Sequence, residues 1–308
     1  MIAPAPAMDN RAALRQAMAT LRAAQVPSHT LAAELLLMHV LGRDRAWIYT
    51  HPEDALEPAA LDRYFTLVER RAAGEPTQYL TGKQEFWGLE FEVTPAVLIP
   101  RPETEHLVEV ALERLGPRGI KINMKTGAPS PPLRIGDVGT GSGCLAVALA
   151  HELPHAKVLA TDISASALEI ALRNSARHRV ADRVRLLQTD LLTSVNEANS
   201  FDLIVSNPPY VARNESHQLS REVREHEPAS ALFGGPTGIE IYSGLVEQAA
   251  SALRPRGILV LELGYNSLDH VRALLYGQPA WVNVSVTNDL AGIPRVIAAE
   301  RPENSAAF

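Results

Sequence analysis

The sequence predicts an α/β protein, a mostly parallel sheet covered by helices on both faces, preceded by a small α-helical bundle. Three observations predict it. From Leu133 onward, short apolar runs of strand length alternate with helical patterns, which implies strand–helix–strand units and parallel pairing. Before about residue 80 the apolar residues recur at helical spacing instead. The chain has 308 residues, enough for two domains.

Composition narrows the function classes. Hydrophobic residues make up 46% and charged residues 21%, the balance of a folded soluble protein rather than a disordered one. A net charge of −6 argues against a protein that coats a nucleic-acid backbone, because that requires a basic surface. Cys144 is the one cysteine, which excludes an internal disulfide and a thiolate metal cluster and fits a reducing compartment. The opening stretch MIAPAPAMDNRAALRQ lacks the pattern of a secretory signal. The apolar stretch LAAELLLMHVLG is short and carries Glu34, so no membrane span is expected. These features predict a soluble cytoplasmic protein.

Taken in order, Asp9 to Gly74 reads as helices, with Leu31, Leu35, Met38 and Leu41 on one stripe and Leu61, Phe65, Val68 and Ala72 on another. Ser28 and Gly42 are the expected start and stop of the second helix. This half, residues 1–80, carries no catalytic constellation and is expected to have a structural or docking role. Residues 81–99 contain KQEFWGLEFEVTPAVLI, which alternates around Gly88 and predicts a β-hairpin linker. The α/β domain then spans 100–308. It opens with PRPETEHLVEVALERLG, a helix with proline near its start, acids in its first turn, and Leu107, Ala111, Leu112 and Leu115 on one face. Gly116 to Pro132 is rich in glycine and proline, without period, and is expected to be a mobile surface loop. Strand-like runs follow at Leu133–Val138, Val158–Thr161, Val184–Leu187, Leu203–Val205 and Ile258–Leu261, with helical patterns at Ala165–Arg177 and Ile239–Leu253 among them. Runs near Trp281–Val286 and Arg295–Ala299 predict a closing antiparallel pair.

The first candidate site is DVGTGSGC, Asp137 to Cys144, between the first strand run and a helix. Glycines 139, 141 and 143 let the backbone turn tightly and let a ligand approach. Asp162 ends the second strand run, roughly 20 residues on, the offset at which an acid accepts hydrogen bonds from ribose hydroxyls. The loop lacks the G-x-G-x-x-G spacing and a phosphate-loop lysine, which favours a nucleoside such as S-adenosylmethionine over dinucleotides and nucleoside triphosphates. Asp190, after the third strand, serves either an adenine amino group or the cap of the following turn.

The stretch HELPH, His151 to His155, spells a zinc-peptidase motif, but Pro154 breaks the helix that would have to align both histidines. No metal site is expected there. SNPPY, Ser206 to Tyr210, ends the fourth strand run at the same sheet edge as the glycine loop. It reads either as a rigid turn or as a clamp for a planar NH₂ group. Such a nitrogen is a poor nucleophile, and N-methylation requires it to be oriented with its protons engaged. Asn207 Oδ1 and the Pro208 carbonyl are suited to accept those protons, and the Tyr210 ring is suited to fix the plane.

Together, GEPTQYLTGKQEFWGLEFEV, VLIPRPETEHLVE, DVGTGSGCLAVALA, ATDISASAL, FDLIVSNPPYV, EHEPASALFGGPTGIEIY and GILVLELG resemble the HemK/PrmC family of protein-glutamine N5-methyltransferases, above all its release-factor branch. The resemblance runs from about Gly74 to the C-terminus. It implies the class I S-adenosylmethionine-dependent methyltransferase fold, a Rossmann-like, seven-stranded, mostly parallel sheet. It implies S-adenosylmethionine as methyl donor, with S-adenosylhomocysteine as product and no metal, and the glutamine of a release factor Gly-Gly-Gln (GGQ) loop as acceptor. Carried over by position, Gly139, Thr140, Gly141, Ser142, Gly143, Asp162, Ile163, Asp190, Leu191 and Asn207 form the cofactor site. Asn207, Pro208, Pro209 and Tyr210 form the glutamine clamp, with Asn207, Pro208 and Tyr210 catalytic. Some members carry an aromatic residue where Leu191 stands. Arg101 either orders the loop over the cofactor or makes a purely structural salt bridge. The helical half is expected to grip the release factor, and no membrane or nucleic-acid partner is expected. The alternatives are a ribosomal-protein glutamine methyltransferase, which shares most motifs, and an adenine-N6 nucleic-acid methyltransferase, which uses N-P-P-Y on a flipped base but needs a basic binding surface.

Overall fold

Seven strands form the main sheet, in the spatial order Val282–Asn288, Pro294–Glu300, Leu253–Glu262, Phe201–Ser206, Arg134–Val138, Lys157–Asp162 and Val184–Gln188. The structure is a computed structural model and describes residues 8–116, 132–195 and 198–303. Most of the predicted Gly116–Pro132 loop lies outside these residues. The chain divides into two units, Met1–Lys83 with Ser220–His226, and Gln84–Leu219 with Glu227–Phe308.

The smaller unit holds α1 (Asn10–Ala23), α2 (His29–Leu41), α3 (Arg45–Thr50), α4 (Pro58–Ala72) and α5 (Thr77–Thr81). Its core is made by Leu14, Leu21, Leu36, Leu37, Tyr64 and Val68. The buried face of α2 is Ala32, Ala33, Leu36 and Leu37, and Leu31 is exposed, so the expected stripe is displaced by about one residue. An apolar run this dense gives no single helical face, and the tertiary neighbours choose. Gly42 ends α2 in the left-handed conformation, at φ 62°, as predicted. Ser28 precedes α2 but makes no side-chain cap.

The hairpin β1 (Lys83–Phe86) and β2 (Leu89–Glu92) turns at Trp87 and Gly88, both with positive φ, 55° and 69°, as a two-residue hairpin turn requires. After α6 (Glu105–Leu115) come β3 (Arg134–Val138), α7 (Cys144–Glu152), β4 (Lys157–Asp162), α8 (Ala165–Arg177), β5 (Val184–Gln188), β6 (Phe201–Ser206) and the short β7 (Val211–Ala212). Then follow α9 (Arg221–His226), α10 (Ala229–Leu232), β8 (Phe233–Gly235), α11 (Glu240–Ala252), β9 (Leu253–Glu262), α12 (Leu268–Tyr276), β10 (Val282–Asn288) and β11 (Pro294–Glu300). Strands β3, β4, β5, β6 and β9 pair in parallel. β11 runs antiparallel to β9, and β10 antiparallel to β11, giving the predicted closing pair.

Alternate residues of the central strands serve two cores. Ile135, Leu203, Val205 and Val260 join Leu107 and Leu149 on one face. Phe201, Ile204, Leu259 and Leu261 join Tyr242, Leu245 and Val246 on the other. This is why the strand runs read as continuously apolar rather than alternating. Each fully buried Leu, Ile or Val contributes about 1.5–3 kcal/mol. Helix α7 is apolar all round, with every residue from Cys144 to Ala150 buried. It stops at Glu152, so His151 lies in its last turn and His155 beyond its end. The two histidines of HELPH therefore share no helical face.

Candidate active site

Strand β3 lies between β4 and β6, so the sheet order reverses beside it. A crevice opens at such a point, beyond the carboxyl ends of the strands. Here it is a cavity of about 240 Å³ walled by the glycine loop after β3, the ends of β4 and β5, and Asn207 after β6.

The glycine loop is held by both main-chain and side-chain bonds. Gly139 N–H and Thr140 N–H both donate to Thr161 O at 2.9 Å, tying the loop to the end of β4. Asp137, fully buried, accepts from Thr140 Oγ1 at 2.6 Å and from Ala146 N–H at 3.0 Å, joining the strand end to the first turn of α7. Burial pushes its carboxyl up to about 7 against the pull of those two bonds. Gly143 has φ 82°, and a Cβ there would stand 3.1 Å from Ala171 Cα, so any other residue is strained. Asn174, fully buried, donates to Ser142 O at 2.9 Å and to Glu92 O at 3.0 Å and accepts from Glu92 N–H. It fixes the outer side of the loop, a role the sequence patterns did not reveal.

Asp162 ends β4, where its carboxylate accepts from Gly141 N–H and Ser164 N–H, each at 2.9 Å. Burial raises its pKa and those backbone bonds oppose the rise. Each oxygen keeps a lone pair for a further donor. Asp190 lines the cavity too. Its backbone oxygen accepts from Thr193 N–H and Thr193 Oγ1, at 3.0 and 2.7 Å, so the turn does not depend on its carboxylate. At Gly139 and Gly141 a Cβ would meet no atom within 4 Å, and both residues line the cavity. A ligand can therefore lie against the bare loop. Open glycine backbone, a carboxylate with free lone pairs and apolar walls from Leu98, Leu191 and Phe233 fit S-adenosylmethionine.

Of the residues predicted for the site, Gly139 to Ser142, Asp162, Ile163, Asp190, Leu191, Asn207 and Pro209 line the cavity. Gly143 stands behind the loop against α8, and Pro208 is buried. Tyr210 is also off the cavity wall. Its ring lies against Gly264, where a Cβ would come within 2.6 Å of it, and its hydroxyl donates toward Glu262 Oε1 at 3.4 Å. These contacts fix the ring that the sequence expects to set the plane of the substrate. The backbone of the motif is enclosed as tightly. A Cβ on Gly234 would meet Pro209 O at 2.4 Å, and one on Gly238 would meet Tyr210 O at 2.4 Å.

Asn207 Nδ2 donates to Thr104 Oγ1 at 3.0 Å, and Thr104 Oγ1 donates to Glu262 Oε2 at 2.7 Å. Thr104 and Glu262 are both buried, and burial pushes the Glu262 carboxyl up to about 7. Both lie in stretches that carry the family resemblance, yet no local pattern pointed to a role for either. Arg101 pairs with Glu227 at 2.5 Å, and Glu227 also accepts from Ile99 N–H at 3.4 Å. The pair joins two segments that supply the cavity walls Leu98, Pro100 and Pro228. Among the described residues, no cluster of three or more His, Cys, Asp or Glu is arranged to hold a metal ion. Nor is any helix among them long and apolar enough to cross a membrane.

Comparison with known proteins agrees at the level of both halves and of the whole. Residues 12–82 match the PrmC N-terminal domain, and residues 125–226 match the methyltransferase small domain. The catalytic domain of hMettl16, solved with an RNA hairpin of the MAT2A 3′UTR, shares the fold at a TM-score of 0.54. That match has 18% identity and covers 79% of this chain and 84% of that one. The release factor glutamine methyltransferase of Koribacter versatilis is 44% identical over 96% of this chain and 99% of its own length. The enzyme of the same name from Nitratidesulfovibrio vulgaris is 43% identical, over 94% of each chain. With relatives this close along nearly its whole length, the chain belongs to the release factor glutamine methyltransferase family.

Proposed function

We propose that this protein transfers the methyl group of S-adenosylmethionine to the side-chain nitrogen N5 of the glutamine in the GGQ loop of peptide chain release factors. The observation that carries the proposal is Asn207. It stands on the wall shared with the glycine loop and Asp162, with its Nδ2 held by Thr104 and its Oδ1 left to accept.

When bound, S-adenosylmethionine supplies a methyl group made electrophilic by a sulfonium charge. The protein's own part is placement. Gly139 to Ser142 receive the cofactor by backbone, Asp162 takes its ribose hydroxyls, and Ile163, Asp190 and Leu191 frame its base. Asn207 Oδ1 and the Pro208 carbonyl accept the two protons of the glutamine NH₂, which fixes the nitrogen and its plane. Proline has no N–H to compete for that position and fixes φ in advance. Holding two reactants in line is worth up to about 7–11 kcal/mol of barrier. No general base has to act before attack, because the nitrogen becomes acidic once methylated. The chemistry needs no metal.

The net charge of −6 supports a protein acceptor over nucleic acid, and the single cysteine supports a cytoplasmic setting. The helical unit is the natural docking body for the release factor, since the cavity already takes the glutamine.

Transfer of labelled methyl from S-adenosylmethionine to purified release factor tests the proposal, with Gln→Ala in the GGQ loop and Asn207→Ala in the enzyme as controls. Label that requires both glutamine and Asn207 is the expected result. Label on a ribosomal protein, RNA or DNA, with none on release factor, would overturn the substrate.

A further inference from the structure

The nitrogen and oxygen of a side-chain amide are nearly equal in size, so hydrogen bonding alone decides which one turns toward a ligand. For Asn207 the choice matters. Its oxygen can hold an N–H of the acceptor, whereas its nitrogen would oppose one.

Two buried groups, Glu262 and Thr104, and the half-buried Tyr210 bear on that choice. Glu262 is 2% exposed, and its Oε2 accepts from Thr104 Oγ1 at 2.7 Å. Its Oε1 accepts from the Tyr210 hydroxyl at 3.4 Å. Thr104, also 2% exposed, accepts from Asn207 Nδ2 at 3.0 Å. A carboxylate can only accept. While Glu262 is ionised, Thr104 must therefore spend its one proton on it, leaving only a lone pair for Asn207. Asn207 meets that lone pair with its nitrogen, and Oδ1 remains for the cavity.

Burying a carboxylate on hydroxyl partners is costly. Arg295, whose charge acts on Glu262, is itself paired with Asp289 at 2.9 Å. Apolar side chains could join the start of α6 to the end of β9 at lower cost, but they could not give a hydrogen-bond chain a direction. We propose that Glu262, acting through Thr104, is a positioning residue that sets the hand of the Asn207 amide, so that its oxygen faces the acceptor nitrogen. This rests on the assignment of Asn207 to the glutamine clamp.

A plain structural latch between the same elements makes a different prediction. Glu262→Gln keeps the shape but offers Thr104 an amide that can donate, so the chain can run in reverse. With Asn207 present, kcat for the GGQ loop falls roughly tenfold, as expected for a lost hydrogen bond to a charged group. Cofactor Kd, measured by calorimetry, moves less than about twofold on the same principle. In an N207D background the side chain has oxygen at both ends and no hand. There E262Q costs nothing further, or restores activity because two carboxylates no longer flank one hydroxyl. Equal losses in both backgrounds would overturn the proposal in favour of the latch.

Thr104→Val gives the same comparison should E262Q fail to fold, and Thr104→Ser should recover most of the activity. A direct reading comes from the ¹⁵N resonance of the Asn207 side chain in the free enzyme. It should shift in T104V and E262Q and return in T104S; an unmoved resonance would overturn the proposal. If the wild-type enzyme methylates no release factor at all, the proposed function fails instead, while this resonance still reports the hand of Asn207.

Discussion

The two sides of the cavity are built by different means. The cofactor side is built round a short loop, Gly139 to Gly143, pinned to the adjacent strand by main-chain bonds and to Asp137, Asp162 and Asn174 by side-chain bonds. The proposed acceptor side is an asparagine whose Nδ2 donates to a threonine 103 residues before it, and that threonine donates to a glutamate 158 residues further along. A backbone loop keeps its form wherever the local turn is kept. A side-chain relay exists only when three distant segments meet, so the acceptor side should be the more fragile under mild perturbation and the more dependent on pH.

Asn207→Ala should separate the two sides most sharply. Losing a preorganised acceptor costs about 10²–10³ in kcat, and cofactor affinity should fall far less. Single-turnover kinetics with calorimetry would check this; an equal loss in both would merge the two sides into one. Gly143→Ala should do the reverse. Its φ of 82° and the 3.1 Å approach to Ala171 force the loop to move. A strained backbone of this kind costs about 1–3 kcal/mol, which should appear as a tenfold or greater weakening of cofactor binding with kcat at saturation largely kept.

The pH dependence of kcat should follow next in size. Glu262 carries its proton below about 7, because burial outweighs the bonds from Thr104 and Tyr210 and the charge of Arg295, with Glu103 adding to the rise. Once protonated it can donate to Thr104 and reverse the chain. At saturating cofactor, kcat should fall as pH drops through about 7, and E262Q should lack that limb. The smallest effect is on stability, with the opposite sign. Asp137 and Glu262 bind protons more tightly folded, near 7, than unfolded, near the ordinary values of 3.8 and 4.5. Their contribution is complete below those ordinary values and is lost as pH rises toward 7. A melting curve from pH 5 to 8 should show Tm sloping downward from these groups, and E262Q should flatten the slope.

The same contrast explains what the sequence made legible. The glycine loop, Asp162, every strand of the main sheet and the Ala165–Arg177 helix are local patterns, and each lies where its period and flanking residues indicate. Asn207 could be placed because a strand pattern ends beside it. Thr104 and Glu262 could not, since a threonine in a helix start and a glutamate at a strand end usually face solvent, and only the tertiary fold buries them together. The placement of Tyr210 was hidden for a related reason, because Gly264 opens a slot for its ring 54 residues downstream in sequence. The displaced stripe of α2 shows the converse limit. Where leucines occupy several helical faces, periodicity names the helix but not the side it buries.

Arg71 bears on how this protein could be cut or recombined. It is 5% exposed, pairs with Glu222 at 2.5 Å and donates to Glu75 O at 3.0 Å. Glu222 belongs to Ser220–His226, the short stretch that groups with the helical unit although the rest of that unit ends at Lys83. The helical half is therefore not a portable cassette. A fragment ending at Lys83 would lose the carboxylate that pairs with this cation and the short stretch that packs with the helical unit. A chimera that exchanges this half between relatives has to carry both stretches of sequence, or replace Arg71 and Glu222 together.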